Sequence, residues 1–238
     1  MKTIHYITGL LTIAASTLLV SCGVDDYAVP DAALSGTVKD AITGNPLITE
    51  QPNGFQVRNE ELSWSDNPRQ EHFWGKADGT YKNTKMFPGH YRISLVNGPF
   101  VPPAPQEVDL KSGQTATLDF TVTPYVTITD FNVVKSGSDE VTVTFKVSKN
   151  AGTIKDYRIF ATDQTPLVGI NYFDSKYSNI KIGDDEIAAI SLTDADLGQT
   201  ITATRNNYKS GKYWIRVGVC CNESGGRYNL TEVKEIAF

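Results

Sequence analysis

The chain has 238 residues and a formal charge of −5, with 27 acidic against 22 basic groups, a balance that disfavours a nucleic-acid partner. Its basic residues are scattered, and no Lys/Arg run or aromatic-basic stripe marks a phosphate-binding face. Three cysteines are too few for a disulfide framework, so the fold must be held by its apolar cores.

After Lys2, the run from Ile7 to Val20 carries no charge. It has the length of a secretory h-region and is too short to span a bilayer. Leu19-Val20-Ser21-Cys22-Gly23 follows, with an apolar residue three positions before the cysteine and a small residue just before it, matching the bacterial lipobox. Residues 1–21 are therefore expected to be a lipoprotein signal peptide, and Cys22 the acylated first residue of the mature chain. Several acyl chains on one residue hold it durably, because each buried methylene contributes about 0.8 kcal/mol. The membrane is thus an expected partner through Cys22, and no other segment needs to touch lipid. Residues 22–31 read as a short acidic tether closed by Pro30; Asp25 and Asp26 resemble the surface-export signal of Bacteroidetes lipoproteins. The expected location is the outer membrane, lipid-anchored and displayed outward. Loss of Lys2 with the leader takes the formal charge to −6.

About 210 residues remain, the size of two small domains, and Thr123-Pro124 offers a seam between them. The fold class expected is all-β, as two tandem β-sandwiches over residues 32–123 and 124–238. In the first, Asp78-Gly79, Pro88-Gly89, Asn97-Gly98-Pro99 and Ser112-Gly113 punctuate short apolar runs. Tyr91, Ile93 and Leu95 alternate with polar residues, as do Ala116, Leu118, Phe120 and Val122, which is the pattern of strands with one wet face. In the second, Val141, Val143, Phe145 and Val147 alternate with Thr142, Thr144 and Lys146, with Ser136-Gly137-Ser138-Asp139 as the preceding turn. Residues 157–160, 200–204 and 213–219 supply further strands, and 222–226 a turn. Roughly seven strands in this length argue for an immunoglobulin-like sandwich. The stretch 184–190 alone could form a helical turn or two.

The run Leu34-Ser35-Gly36-Thr37-Val38-Lys39-Asp40-Ala41-Ile42-Thr43-Gly44-Asn45-Pro46-Leu47 resembles the opening of carboxypeptidase-regulatory-like and transthyretin-like domains. Asp78-Gly79-Thr80-Tyr81 and Phe87-Pro88-Gly89-His90-Tyr91 are similar to that family's later turn and strand. The resemblance implies a non-catalytic module. Tyr213-Trp214-Ile215-Arg216-Val217-Gly218, with Asn229 and Val233, resembles the closing strands of a fibronectin-III-like sandwich. Across the whole mature chain, Glu60 to Pro68, Phe100-Val101-Pro102-Pro103 and Thr123-Pro124-Tyr125 resemble a group of two-domain Bacteroidetes lipoproteins of unknown function. That group is encoded beside SusC-like and SusD-like glycan-uptake pairs, which implies SusC/SusD-like outer-membrane proteins as partners.

Catalytic chemistry finds little support in the residues. His72 and His90, the histidines outside the leader, have no second histidine or cysteine at metal-ligand spacing, and no metal or other cofactor is expected. No nucleophile elbow, Walker loop or dinucleotide fingerprint occurs. Cys220 and Cys221 are neighbours in a strand, so they point to opposite faces and are expected to be free thiols in packing roles. Glycoside hydrolysis needs two carboxylates in a cleft. The candidates Asp184-Asp185-Glu186 and Asp194-Ala195-Asp196 lie in loop-like stretches where acids are usually solvated. No catalytic residue is assigned, and the chain is expected not to be an enzyme.

The candidate ligand site is instead aromatic. Residues 64–75 place Trp64, Phe73 and Trp74 in what reads as one polar, proline-containing loop, with Asp66 and Arg69 alongside. Indole faces can carry the C–H face of a sugar while polar neighbours satisfy its hydroxyls. The bland alternative is that both tryptophans pin the loop to the sandwich. A second cluster, Tyr172, Phe173 and Tyr177, could form another platform. Two functions compete: an oligosaccharide-binding accessory of a surface glycan-uptake system, and a structural stalk or docking module without sugar contact. A small glycosidase is a third, weaker reading.

Overall fold

The computed structural model describes residues 29–182 and 185–238. The signal peptide, Cys22 and the tether up to Ala28 lie outside the described residues. The fold is all-β, built of two sandwiches in tandem.

The first sandwich contains β1 (Ala32–Asp40), β2 (Gln56–Glu61), β3 (Gln70–Trp74), β4 (Thr80–Met86), β5 (Gly89–Val96), β6 (Phe100–Val101), β7 (Gln106–Leu110), β8 (Thr115–Thr117) and β9 (Phe120–Pro124). One sheet runs β4-β1-β9-β6 with β8 also on β1, and the other runs β3-β2-β5-β7. The alternation in β5 buries Tyr91, Ile93 and Leu95 as the sequence implies, and these meet Leu34, Val38, Phe120 and Val122 from the facing sheet. The apolar run ending in Val122 is split into β8 and β9, both parallel to β1.

Register gives this sandwich two distinct ends. Ala32 pairs with Met86, and Glu61 pairs with Tyr91, so the start of β1, the end of β2, the end of β4 and the start of β5 share one end. The chain from the tether arrives there. At the opposite end lie Gln56, paired with both Trp74 and Val96, and Pro124, which leads into the second domain.

The second sandwich contains β10 (Val126–Lys135), β11 (Val141–Lys149), β12 (Ile154–Thr162), β13 (Ile180–Ile182), β14 (Asp185–Ile187), β15 (Ile190–Ser191), β16 (Ile201–Arg205), β17 (Lys212–Cys221), β18 (Tyr228–Leu230) and β19 (Lys234–Ala237). The sheet β10-β11-β16 faces the sheet β15-β12-β17-β18, with β19 also on β17, which is the layer arrangement of an immunoglobulin-like sandwich. Val141, Val143, Phe145 and Val147 pack against Tyr157, Ile159, Tyr213, Ile215, Val217 and Val219. The turn between β10 and β11 closes with Ser136 N donating to Glu140 O.

A further apolar layer, not expected from the sequence, covers the outer face of β12 and β17. There Phe160, Cys220, Tyr228 and Leu230 are roofed by Val168, Ile170 and Phe173 from the connection after β12. Cys220 belongs to this outer layer and Cys221 to the inner core, so the neighbours do face opposite ways. Both are free thiols. The helical turn expected over 184–190 is a correction: β14 pairs with β13, opposing Ile187 to Ile180, and β15 pairs with β12. Pairing with β13 and β12 satisfies the backbone of this stretch, whereas an isolated helix this short is marginal. The described helical turn falls instead at Ser175–Ser178, where Asp174 accepts from Lys176 N as its N-cap.

Candidate functional site

The stretch 64–75 is not one aromatic loop. Strand β3 begins at Gln70 and pairs along β2, which carries Trp74 to the far end of the domain from Trp64. Phe73 turns inward and tilts against Tyr81, with ring centroids 6.2 Å apart, so its ring is used in packing. Trp64, Asp66 and Arg69 stay exposed in the β2–β3 connection. The second predicted platform is also dispersed. Phe173 packs edge-on against Phe160 at 5.8 Å, and Tyr177 is buried beside Tyr208 and Tyr213. Tyr172 alone of that trio keeps an exposed ring.

Trp74 and Tyr172 both lie along the junction of the two domains. Trp74 remains 37% exposed, and the guanidinium of Arg227 from the second domain lies 5.4 Å from its ring centre. Arg227 is close enough to Glu50 to favour its charged form. Glu50 in turn accepts two hydrogen bonds on Oε1 from Asn171, one from the main-chain N at 2.7 Å and one from Nδ2 at 2.9 Å. Asn171 Nδ2 also reaches Pro52 O at 3.1 Å, and Asn53 Nδ2 donates to Asn171 Oδ1 at 3.3 Å. Tyr172 follows directly in sequence.

Beneath these groups lies Arg216, a buried guanidinium in the middle of the apolar β17. Burial pulls its pKa down to about 10, against the opposing pull of Glu50, and burial likewise pushes the Glu50 carboxyl above its usual range. Arg216 Nη1 donates to Thr49 O at 3.5 Å, while its Nε has no partner within the protein. Gly169 threads between the two charges. A Cβ there would fall 2.9 Å from both Arg216 Nη2 and Glu50 Oε1, so glycine is what the close approach requires.

Arg216, Gln51, Asp78 and Leu167 line a cleft of about 270 Å³ at this junction. A wider groove of about 440 Å³, lined by Asp40, Asn45, Thr129 and Asn229, opens elsewhere on the same seam. A cleft of about 530 Å³ in the second domain is walled by Asn179, Glu186, Asn206, Asn207 and Lys209. Its one aromatic, Tyr208, is buried and presents no ring face. The junction therefore gathers two partly exposed rings, Trp74 under the Arg227 guanidinium and Tyr172, with the amides of Asn53 and Asn171, groups that a neutral polyhydroxylated ligand can use.

The residues that sequence reasoning missed are Glu50, Arg216 and Arg227, while Asn171 heads the stretch that carries Tyr172. A signal existed for one of them, since Arg216 interrupts the apolar run Tyr213 to Val219, and arginine is seldom buried without a task. Other reactive groups are quiet. Burial raises the pKa of both thiols, that of Cys221 to about 12, so neither is an activated nucleophile. Among the described residues, no group of three or more His, Cys, Asp or Glu side chains is placed to hold a metal ion.

Residues 32–123 match the family model described as "Protein of unknown function (DUF3823) N-terminal domain". A DUF3823 protein of Bacteroides uniformis is 24% identical over 88% of this chain and all of its own, with a TM-score of 0.74. A second Bacteroides uniformis structure, of a candidate carbohydrate-binding protein, is also 24% identical over 88% of this chain and all of its own, with a TM-score of 0.67. A DUF3823 protein of Parabacteroides merdae superposes with a TM-score of 0.65 at 17% identity, covering 88% of this chain and 100% of that one. These likenesses establish a shared fold along both sandwiches. No curated protein matches the sequence.

Proposed function

We propose that this chain is a non-catalytic, lipid-anchored surface protein of the outer membrane that binds an oligosaccharide at its domain junction, as an accessory of a SusC/SusD-like glycan-uptake system. The observation that carries the binding site is the junction itself, where Trp74 and Arg227 flank a hydrogen-bonded Glu50–Asn171 pair beside the exposed Tyr172. A sugar ring stacks on an indole through its C–H face, and amide and guanidinium groups meet its hydroxyls. The description of one Bacteroides uniformis relative as a candidate carbohydrate binder supports the same ligand class. The lipobox ending at Cys22 supports the anchor, and the resemblance to chains encoded beside SusC-like and SusD-like pairs supports the setting.

The test is intrinsic tryptophan fluorescence of residues 23–238 titrated with a panel of plant and host polysaccharides. A saturable change is expected, abolished by Trp74→Ala and preserved in Trp64→Ala. A flat response across the panel would favour the second reading, a rigid spacer or docking module. One observation speaks for that alternative: Asn229, held in the second domain by accepting from Val126 N at 3.2 Å, reaches across to the first and donates to Pro99 O at 2.8 Å. Rigid coupling is what a stalk requires.

A further inference from the structure

Trp64 does not belong to the junction, and nothing in the fold uses its ring. It is 87% exposed, at the end of the first sandwich where the chain arrives from the tether. Two other apolar side chains protrude at that end: Phe87, 49% exposed, in the connection between β4 and β5, and Val29, 68% exposed, on the tether itself. The connection bearing Trp64 is tied to the start of β5, which follows Phe87 closely. Leu62 N donates to His90 O, and His90 N donates to Ser63 Oγ at 2.9 Å.

We infer that this end of the first domain rests on the bilayer, with Trp64 seated among the lipid headgroups beside Phe87. The inference rests on the lipid-anchor reading of Cys22. Six residues lie between Cys22 and Val29, and the seven steps span at most about 25 Å even when fully extended. The acyl chains therefore hold this end, and not the second domain, close to the membrane. Tryptophan favours such a position because its ring is apolar while its N–H prefers to stay wet. Charge does not drive the contact: Arg69, Lys85 and Lys111 are outnumbered there by Asp31, Glu61, Asp66 and Asp109. Attachment through rings predicts that zwitterionic lipid suffices. It also orients the molecule, turning the junction and the second domain away from the surface and toward extracellular glycan.

The full chain, expressed with its own signal peptide and reconstituted into phosphatidylcholine vesicles, provides the test. Quenching of tryptophan emission by phosphatidylcholine brominated near the headgroup reads the position of each ring. The wild type is expected to lose a substantial fraction of its emission; Trp64→Ala should lose almost none, and Trp74→Ala, with one unquenched ring fewer, should lose at least the wild-type fraction. Since the Trp64 ring packs on nothing, its removal leaves the fold intact, which the unchanged near-ultraviolet dichroism of the other aromatics would show. Vesicle-bound protein whose quenching is the same with and without Trp64 would overturn the inference while leaving the anchor standing. Protein that fails to float with the vesicles would overturn the anchor and the inference together.

Discussion

Asn171 of the second domain clasps Glu50 of the first with both its main-chain N–H and its side-chain amide, at 2.7 and 2.9 Å from the same carboxylate oxygen. The clasp satisfies a buried acid with neutral donors, and the nearby Arg216 supplies opposite charge. Glu50→Ala should therefore remove two interdomain hydrogen bonds and leave Arg216 buried without a counter-charge. A hydrogen bond to a charged acceptor contributes about 1.5–3 kcal/mol. The expected outcome in urea is a lower midpoint and, because the clasp couples the domains, a transition that separates into two. A variant that unfolds like the wild type would show that the contact contributes nothing to coupling.

The same carboxyl gives the junction a pH dependence whose sign is fixed. Burial raises the Glu50 pKa in the folded state above its ordinary value. Its contribution to stability is thus fully present below the unfolded carboxylate range, about pH 4.5, and is lost as pH rises through the folded value. Glu50→Gln keeps an acceptor for Asn171 and removes the titration. Its stability profile should be flatter than that of the wild type across this window. Parallel profiles for the two proteins would contradict the assignment.

How much of this was legible in the residues follows from physical periodicity. In β11, Val141 to Val147 alternate cleanly because one face meets the core and the other meets water, and those residues are buried as the pattern implies. In β3 the pattern vanishes. Gln70, Glu71 and His72 lie on an edge strand that is wet on both faces, so the strand reads as loop and Phe73 and Trp74 read as neighbours on one surface. The junction was invisible for a different reason. Glu50 and Asn171 are 121 positions apart, and no local propensity encodes a contact made only when two domains pack. Trp74 and Tyr172 could be named from their types, but not their shared location.

His90 provides a second pH handle, near the tether end. Its Nδ1 lies 2.7 Å from Asp109 Oδ1 and its Nε2 lies 3.1 Å from Glu107 Oε2, and these two carboxylates raise its pKa above the ordinary imidazole value. The stabilisation from this triad is therefore fully present below about pH 6.5 and is lost as pH climbs through the raised value. A ring-proton NMR titration should place the midpoint above that of a free imidazole. In His90→Gln, the decline in stability over that window should disappear. A midpoint at or below the free value would mean that the carboxylates do not hold the ring in solution.

The paired thiols should be chemically silent in the native state. Cys220 sits in the outer layer with Ser224 Oγ at 3.4 Å, Cys221 faces the inner core, and burial disfavours both thiolates. Since the thiolate is the reacting form, a chromogenic disulfide reagent at mildly alkaline pH should label neither cysteine in the folded protein and both after denaturation. Fast labelling of the native chain would place one of them at the surface.

Trp74 separates a ligand role from a packing role. Its ring is only partly covered, and the cover is a guanidinium rather than a core. A cation–π contact at such a site is worth about 0.5–1 kcal/mol, so Trp74→Ala should cost about 1 kcal/mol of stability while abolishing the saturable response to glycan. Arg227→Ala should cost a similar amount, and the double variant should cost less than the two single costs combined if the side chains act on each other. The balance between the two readouts decides the role of the ring. A stability loss of 3–5 kcal/mol, typical of a buried aromatic, would make Trp74 a structural pin. A small loss together with lost binding is what a stacking platform at the domain junction predicts.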